Sequence, residues 1–146
     1  MTDLPPRADT DAPDPEGEYR VSLRVVAMPK DTNLYGTVFG GVILSYIDQA
    51  GFVEARRHGN HRWVTASIQR VDFKAPVIVG DIVNFRTRTH RCGTTSVTIC
   101  VAVQAERWST AETIDVTHAT ITMVAVDEHG APVPFRTHPT PADGVR

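Results

Sequence analysis

The chain has 146 residues and a mass of 16.0 kDa, which at roughly 100–200 residues per domain predicts one domain with room for a core. A net charge of −2 and only two lysines, Lys30 and Lys74, make it a poor match for a phosphate backbone, so no nucleic-acid partner is expected. No apolar run approaches the ~18–20 residues that span a bilayer, no basic-then-apolar leader is visible, and Cys92 and Cys100 are too few for a disulfide scaffold. A cytoplasmic protein with free thiols and no membrane contact is expected.

Residues 1–20 hold six acidic side chains, two arginines and four prolines. Such a stretch cannot bury enough apolar surface to offset its ordering entropy, so residues 1–19 are expected to be a disordered tail. Val21, Leu23 and Val25 alternate with Ser22 and Arg24, which predicts a strand. A loop marked by Pro29, Asp31, Asn33 and Gly36 follows. Residues 41–58 then read as one helix, with Ile43, Leu44, Ile47, Ala50, Gly51 and Ala55 at helical spacing. Val42, Tyr46, Phe52 and Val53 add apolar groups on its other faces, and a helix apolar nearly all round is expected to be buried. Arg56, Arg57, His58 and Gly59 form its stop signal.

Beyond the helix the pattern is β. Strands are predicted over 63–73, 82–90, 97–105 and 116–126, with turns at Pro76, Gly80-Asp81 and Cys92-Gly93-Thr94. A folded domain over 20–135 and a flexible C-terminal tail over 136–146 complete the expectation. The element order, a strand, a helix and four strands joined by short turns, predicts an antiparallel sheet curled around the helix, an α+β fold.

Two features could carry chemistry. Gly40 and Gly41 open the helix, and without side chains a ligand can approach the unpaired N–H groups of its first turn, which suit an oxyanion. Alone, the same glycines read first as a tight turn or close packing against a strand. Asp48 lies between Leu44 and Phe52 at i−4 and i+4, with no basic partner at helical spacing. A carboxylate there needs a hydrogen-bond partner, a raised pKa or a wet pocket, and is a candidate base or nucleophile unless it reaches solvent at the helix edge. Together the two are the minimum apparatus for acyl hydrolysis. His58 and His61 straddle the helix stop and read as a surface pair, so no metal is expected. Cys92 and His90 lie in a turn read as exposed, with no third group to orient them. Arg86, Arg88 and His90 share a predicted strand face beside Arg91 and either bind phosphates or are simply solvated.

Ala27-Met28-Pro29-Lys30-Asp31-Thr32-Asn33, Gly36 to Gly41 and Ser45 to Gly51, followed by Phe73 to Val77, Val79-Gly80-Asp81 and Gly93 to Ser96, resemble the hotdog-fold acyl-CoA thioesterases. Within that family the chain looks like the bacterial acyl-CoA thioester hydrolases related to the brain-type cytosolic enzymes. The resemblance implies a sheet wrapped around one long helix, protomers paired through a continuous sheet, and hexamers formed as trimers of dimers. It implies a place in fatty acid metabolism, with acyl-CoA as substrate and no separate cofactor, coenzyme A being part of the substrate. Asp48 would activate water or attack the thioester, while the N–H of Gly40 or Gly41 from the partner polarises the carbonyl. Gly93, Thr94, Thr95 and Ser96 would contact the coenzyme A arm, with Arg88 and Arg91 on its phosphates and Asn33 also binding substrate. Thr37 stands where relatives place Asn or Asp, Phe39 where many place His, and Cys92 where a basic residue is common. Two other readings are a hotdog hydratase or dehydratase, which needs a histidine near the loop, and an acyl-CoA-binding protein without turnover.

Overall fold

The structure, a computed structural model, describes residues 18–136. The expected tails lie outside the described residues except for their inner edges. Strand β1 (Arg20–Val26) leads through a single 3-10 turn at Pro29–Asp31 to helix α1 (Gly40–Arg56). Four strands follow: β2 (Arg62–Gln69), β3 (Ile82–Cys92), β4 (Ser96–Glu106) and β5 (Thr113–Val126). They form one antiparallel sheet in the order β1-β3-β4-β5-β2, so β1 and β2 are its edges among the described residues.

Helix α1 lies across the sheet and touches all five strands. Ile43, Ile47, Ala50 and Ala55 are buried against Phe85, Ile99, Val101, Ile121 and Met123. Each isoleucine contributes about 1.5–3 kcal/mol by leaving water. Gly51 is the point of closest approach: a Cβ there would meet Ile121 Cγ2 at 2.8 Å and Cδ1 at 2.9 Å. A glycine in mid-helix costs about 1 kcal/mol of helix propensity, and this contact is the reason it is tolerated.

Several expectations are corrected. The helix is not buried all round, because its outer flank, including Gly41, Ser45, Gln49 and Phe52, is exposed. Sheet covers only one side of it. The strand predicted over 63–73 ends at Gln69, where Arg70 adopts a φ of 58° and breaks the ladder. Strand β5 starts three residues earlier than expected, at Thr113. A bulge between Thr89 and Arg91 makes His90 the extra residue, buried rather than on the arginine face. The bulge rephases β3 so that Arg91 joins Arg86 and Arg88, opposite Thr98, Ala102 and Cys100 respectively. His58 and His61 are not a surface pair: His61 is buried, with Nε2 2.7 Å from Phe135 O, and His58 Nε2 is 2.7 Å from Thr89 Oγ1. Cys92 is half-buried and Cys100 buried, and both are free thiols.

Candidate active site

The loop before α1 is built by Asn33. Its Oδ1 accepts the N–H groups of Tyr35 (2.8 Å) and Thr37 (3.2 Å), and its Nδ2 donates to Thr37 Oγ1 at 2.9 Å. The Asn33 side chain is thus engaged in shaping the loop, and Gly36 closes it with a φ of 83°. Buried Asp31 ties the far side, accepting the N–H of Met28 at Oδ2 (3.1 Å), while its own carbonyl accepts the N–H of Phe39 (3.0 Å). The Met28 N–H, outweighing burial, and then the Lys30 ammonium hold the Asp31 carboxyl below its ordinary range.

This loop delivers the chain to α1 with Phe39 extended (φ −57°, ψ 137°). Phe39 O accepts the N–H groups of Val42 (3.0 Å) and Ile43 (3.3 Å). The N–H groups of Gly40 and Gly41 have no acceptor among the described residues and open outward at the positive end of the helix. Beside them is an open cavity of about 330 Å³, lined by Val38, Ile43, Val77 and Val116 on one part and by Thr37 and Lys74 on another. Thr37 stands at its edge, its hydroxyl hydrogen still available because Oγ1 serves Asn33 as acceptor.

Asp48 lies two turns further on, half-buried beside β2. Thr65 Oγ1 donates to Asp48 Oδ1 and lies 3.4 Å from Met123 Sδ. The hydroxyl has one hydrogen, and the carboxylate is the stronger acceptor. Asp48 thus has a hydrogen-bond partner, at an exposed edge of the helix. Eight residues at 1.5 Å each put Gly40 and Asp48 about 12 Å apart along the helix, too far to act on one carbonyl within one chain.

The remaining predicted residues fall into two further places. The 93–96 turn closes with Gly93 N–H on Ser96 O at 2.7 Å, while Thr94 O and Thr95 O accept the N–H groups of Phe135 and Ala125. Ser96 and Val64 flank Val124 of β5 from either side, so the turn lies roughly 10 Å across the sheet from Thr65 and Asp48. Arg88 and Arg91 project from the sheet face away from α1, and the Arg88 guanidinium lies 5.3 Å from the Tyr19 ring centroid.

Sequence reasoning missed Glu54. This carboxylate is 3% exposed and accepts from Thr87 (2.9 Å), Thr89 (2.8 Å) and Arg57 (2.5 Å). Burial alone would raise its pKa, but these hydrogen bonds and the Arg57 charge hold it below the ordinary value of 4.5. The one hydroxyl hydrogen of Thr89 goes to Glu54, so His58 Nε2 donates to Thr89. Burial also lowers the pKa of His58. This network fastens the end of α1 to β3. Its signal was the polar pair Thr87 and Thr89 continuing the inward phase of Val83 and Phe85.

A Thioesterase superfamily profile matches residues 35–109, a span containing the end of the loop, the helix and the first three strands after it. The chain belongs to the thioesterase superfamily. It is 37% identical over 124 residues to the acyl-CoA thioester hydrolase YciA of Salmonella typhimurium, covering 83% of this chain and 92% of that protein. The fold is the hotdog fold. A hexameric hotdog fold thioesterase of Campylobacter jejuni superposes with a TM-score of 0.74 at 42% identity, over 78% of this chain and 88% of that one. An aspartate-to-alanine mutant of HI0827, a hexameric broad specificity acyl-coenzyme A thioesterase, gives 0.75 at 32% identity, over 87% and 90%.

Proposed function

We propose that this chain hydrolyses acyl-CoA thioesters to the free acid and coenzyme A at sites shared by two copies. One observation carries the reading: Asp48, aligned by Thr65, and the open N–H groups of Gly40 and Gly41 lie on one helix about 12 Å apart. Neither group alone makes a hydrolase, and a second copy brings one set to the other. Edge strand β2 with Phe39, Phe52 and Val64, each 41–53% exposed, suits pairing of two copies through β2. Hexamers of the kind named for the two structural relatives are proposed as the higher assembly.

In the reaction, the thioester carbonyl oxygen takes the N–H of Gly40 or Gly41. Asp48 of the other copy removes a proton from water as it adds to the carbonyl carbon, or adds directly and is hydrolysed afterwards. By either route the oxyanion sits on the helix N–H groups, the C–S bond breaks, and the coenzyme A thiolate leaves and takes up a proton. Thr37 supplies a hydroxyl beside the carbonyl. The 93–96 turn and the cations Arg88 and Arg91 hold the coenzyme A arm and its phosphates.

Thiol release from acyl-CoAs tests the proposal. Wild type releases thiol, and folded Asp48→Asn loses nearly all of that activity. Undiminished turnover by Asp48→Asn would refute the role of the carboxylate. Tight acyl-CoA binding without turnover by wild type would favour the binding-protein reading instead.

A further inference from the structure

We infer that Arg107, paired with Asp81, is a positioning residue for the reaction: its guanidinium clasps the segment 76–81, which fixes the approach to Gly40 and so the direction of the helix N–H groups. The inference rests on the thioesterase reading and deepens it by naming what holds the oxyanion donors in place.

Asn33 and Asp31 hold one side of residues 37–39, and segment 76–81 holds the other. Val77 O accepts the N–H of Val38 at 2.8 Å, and Thr37 forms an isolated antiparallel bridge with Ile78. Only Phe39 separates this contact from Gly40, so a shift of the segment passes directly to the start of α1. Segment 76–81 lies outside the ladder strands and needs anchors of its own. Asp81, fully buried, supplies the first. Its Oδ2 accepts the N–H of Ile78 at 3.0 Å, its own N–H donates to Ile78 O at 3.1 Å, and its carbonyl accepts the N–H of Ala27 at 2.9 Å.

Arg107 supplies the second anchor. Its Nη2 donates to Pro76 O at 3.1 Å, and its Nε lies 3.2 Å from Asp81 Oδ1. One planar guanidinium thus spans both ends of the segment. The backbone of Arg107 is itself fixed in the β4–β5 hairpin, its N–H donating to Glu112 O and its carbonyl accepting the N–H of Ala111, both at 2.8 Å. Trp108, next in the chain, lies so close over Gly80 that a Cβ there would meet its Cδ1 at 2.6 Å. The hairpin therefore grips the segment at Pro76, Gly80 and Asp81. A buried ion pair adds little stability over an apolar pair of the same shape. An apolar pair could not hold Pro76 O and Asp81 Oδ1 from one side chain, and that is what this geometry achieves.

The experiment measures kcat and KM for butanoyl-CoA by thiol release in wild type, Arg107→Lys, Gly40→Pro and the variant carrying both, with circular dichroism as the check on folding. Lysine keeps the charge near Asp81 but not the fork, so it serves one of the two acceptors. In the wild-type background kcat is expected to fall by about tenfold with KM changed by less than about twofold, since an error of about 1 Å at a reacting group can cost about a hundredfold. In the Gly40→Pro background one of the positioned donors is already gone, and the same substitution is expected to cost less than about threefold. If Arg107→Lys does not fold, Asp81→Asn with Arg107→Gln, which leaves no buried charge unpaired, takes its place in the same comparison. Undiminished kcat in the folded variant overturns the inference. An equal loss in both backgrounds, the mark of a merely structural role, also overturns it, and either result leaves the thioesterase reading standing. No thiol release from any acyl-CoA by folded wild type overturns that reading, and the positioning role with it.

Discussion

Replacing Gly40 by proline deletes one backbone N–H at a position where the fold makes no use of it. Gly40 is the first residue of α1, where proline's fixed φ suits the helix. The preceding Phe39 already has the extended backbone, ψ 137°, that a residue before proline prefers. The deleted N–H has no acceptor among the described residues, and a Cβ at this position would sit 3.4 Å from the Phe73 ring, an ordinary van der Waals contact. Restricting the unfolded chain should stabilise Gly40→Pro by about 0.4–1 kcal/mol, so the melting temperature holds or rises slightly. Loss of one oxyanion donor, in contrast, lowers kcat by about a hundred- to a thousandfold, with the lower end expected because Gly41 N–H remains. Steady-state thiol release from butanoyl-CoA, paired with a thermal melt, reads both quantities. A folded Gly40→Pro with undiminished kcat would refute the assignment of this N–H to the carbonyl.

Three further outcomes are expected. Gly51→Ala gains helix propensity, but its methyl must displace Ile121 in a packed core, so chemical denaturation should show a net loss of about 1–2 kcal/mol; an unchanged or raised midpoint would contradict the close approach. Thr65→Val lowers kcat by about tenfold or more with KM held, and Thr65→Ser restores it, since only the hydroxyl aligns Asp48; equal kcat in both variants would contradict that alignment. Glu54 has a folded pKa below its ordinary 4.5, so the unfolded chain binds more protons in the interval between them, and stability falls as pH drops from 4.5 through the folded pKa. Glu54→Gln should cost about 1–3 kcal/mol at neutral pH and flatten that acid limb, and a limb as steep as in wild type would show that another group produces it.

The helix was legible in the sequence because Ile43, Ile47, Ala50 and Ala55 keep helical spacing and the run stops at Arg56-Arg57-His58-Gly59. Strand β4 was legible because Val97, Ile99, Val101 and Val103 alternate without a break. What escaped were local departures that carry no composition signal. The bulge at His90 moved Arg91 onto the face of Arg88, and the positive φ at Arg70 ended β2 early. The outer flank of α1 looked like core because Phe52 is as apolar as Ile47, and periodicity does not say which apolar faces a chain covers by itself. Asp48 and the Gly40-Gly41 pair were legible as candidates from residue type and spacing alone. The partner of Asp48 was not, because Thr65 meets it only when β2 folds back beside the helix as the far edge of the sheet. Glu54 was missed for the same reason: Thr87 and Thr89, which satisfy it, lie more than thirty residues away in the chain.

The sharing of one site between two copies is tested most directly by mixing two inactive variants. Asp48→Asn keeps its N–H donors, and Gly40→Pro keeps its carboxylate. In a pair related by a two-fold axis, a hybrid joins the intact Asp48 of one copy to the intact Gly40 of the other at one of its two sites. Co-folding the variants in equal amounts should therefore restore thiol release to about a quarter of the wild-type level, well above the sum of the two parents. Activity no greater than that sum, with hybrid assemblies present, would place both groups in the service of one chain and contradict the shared site.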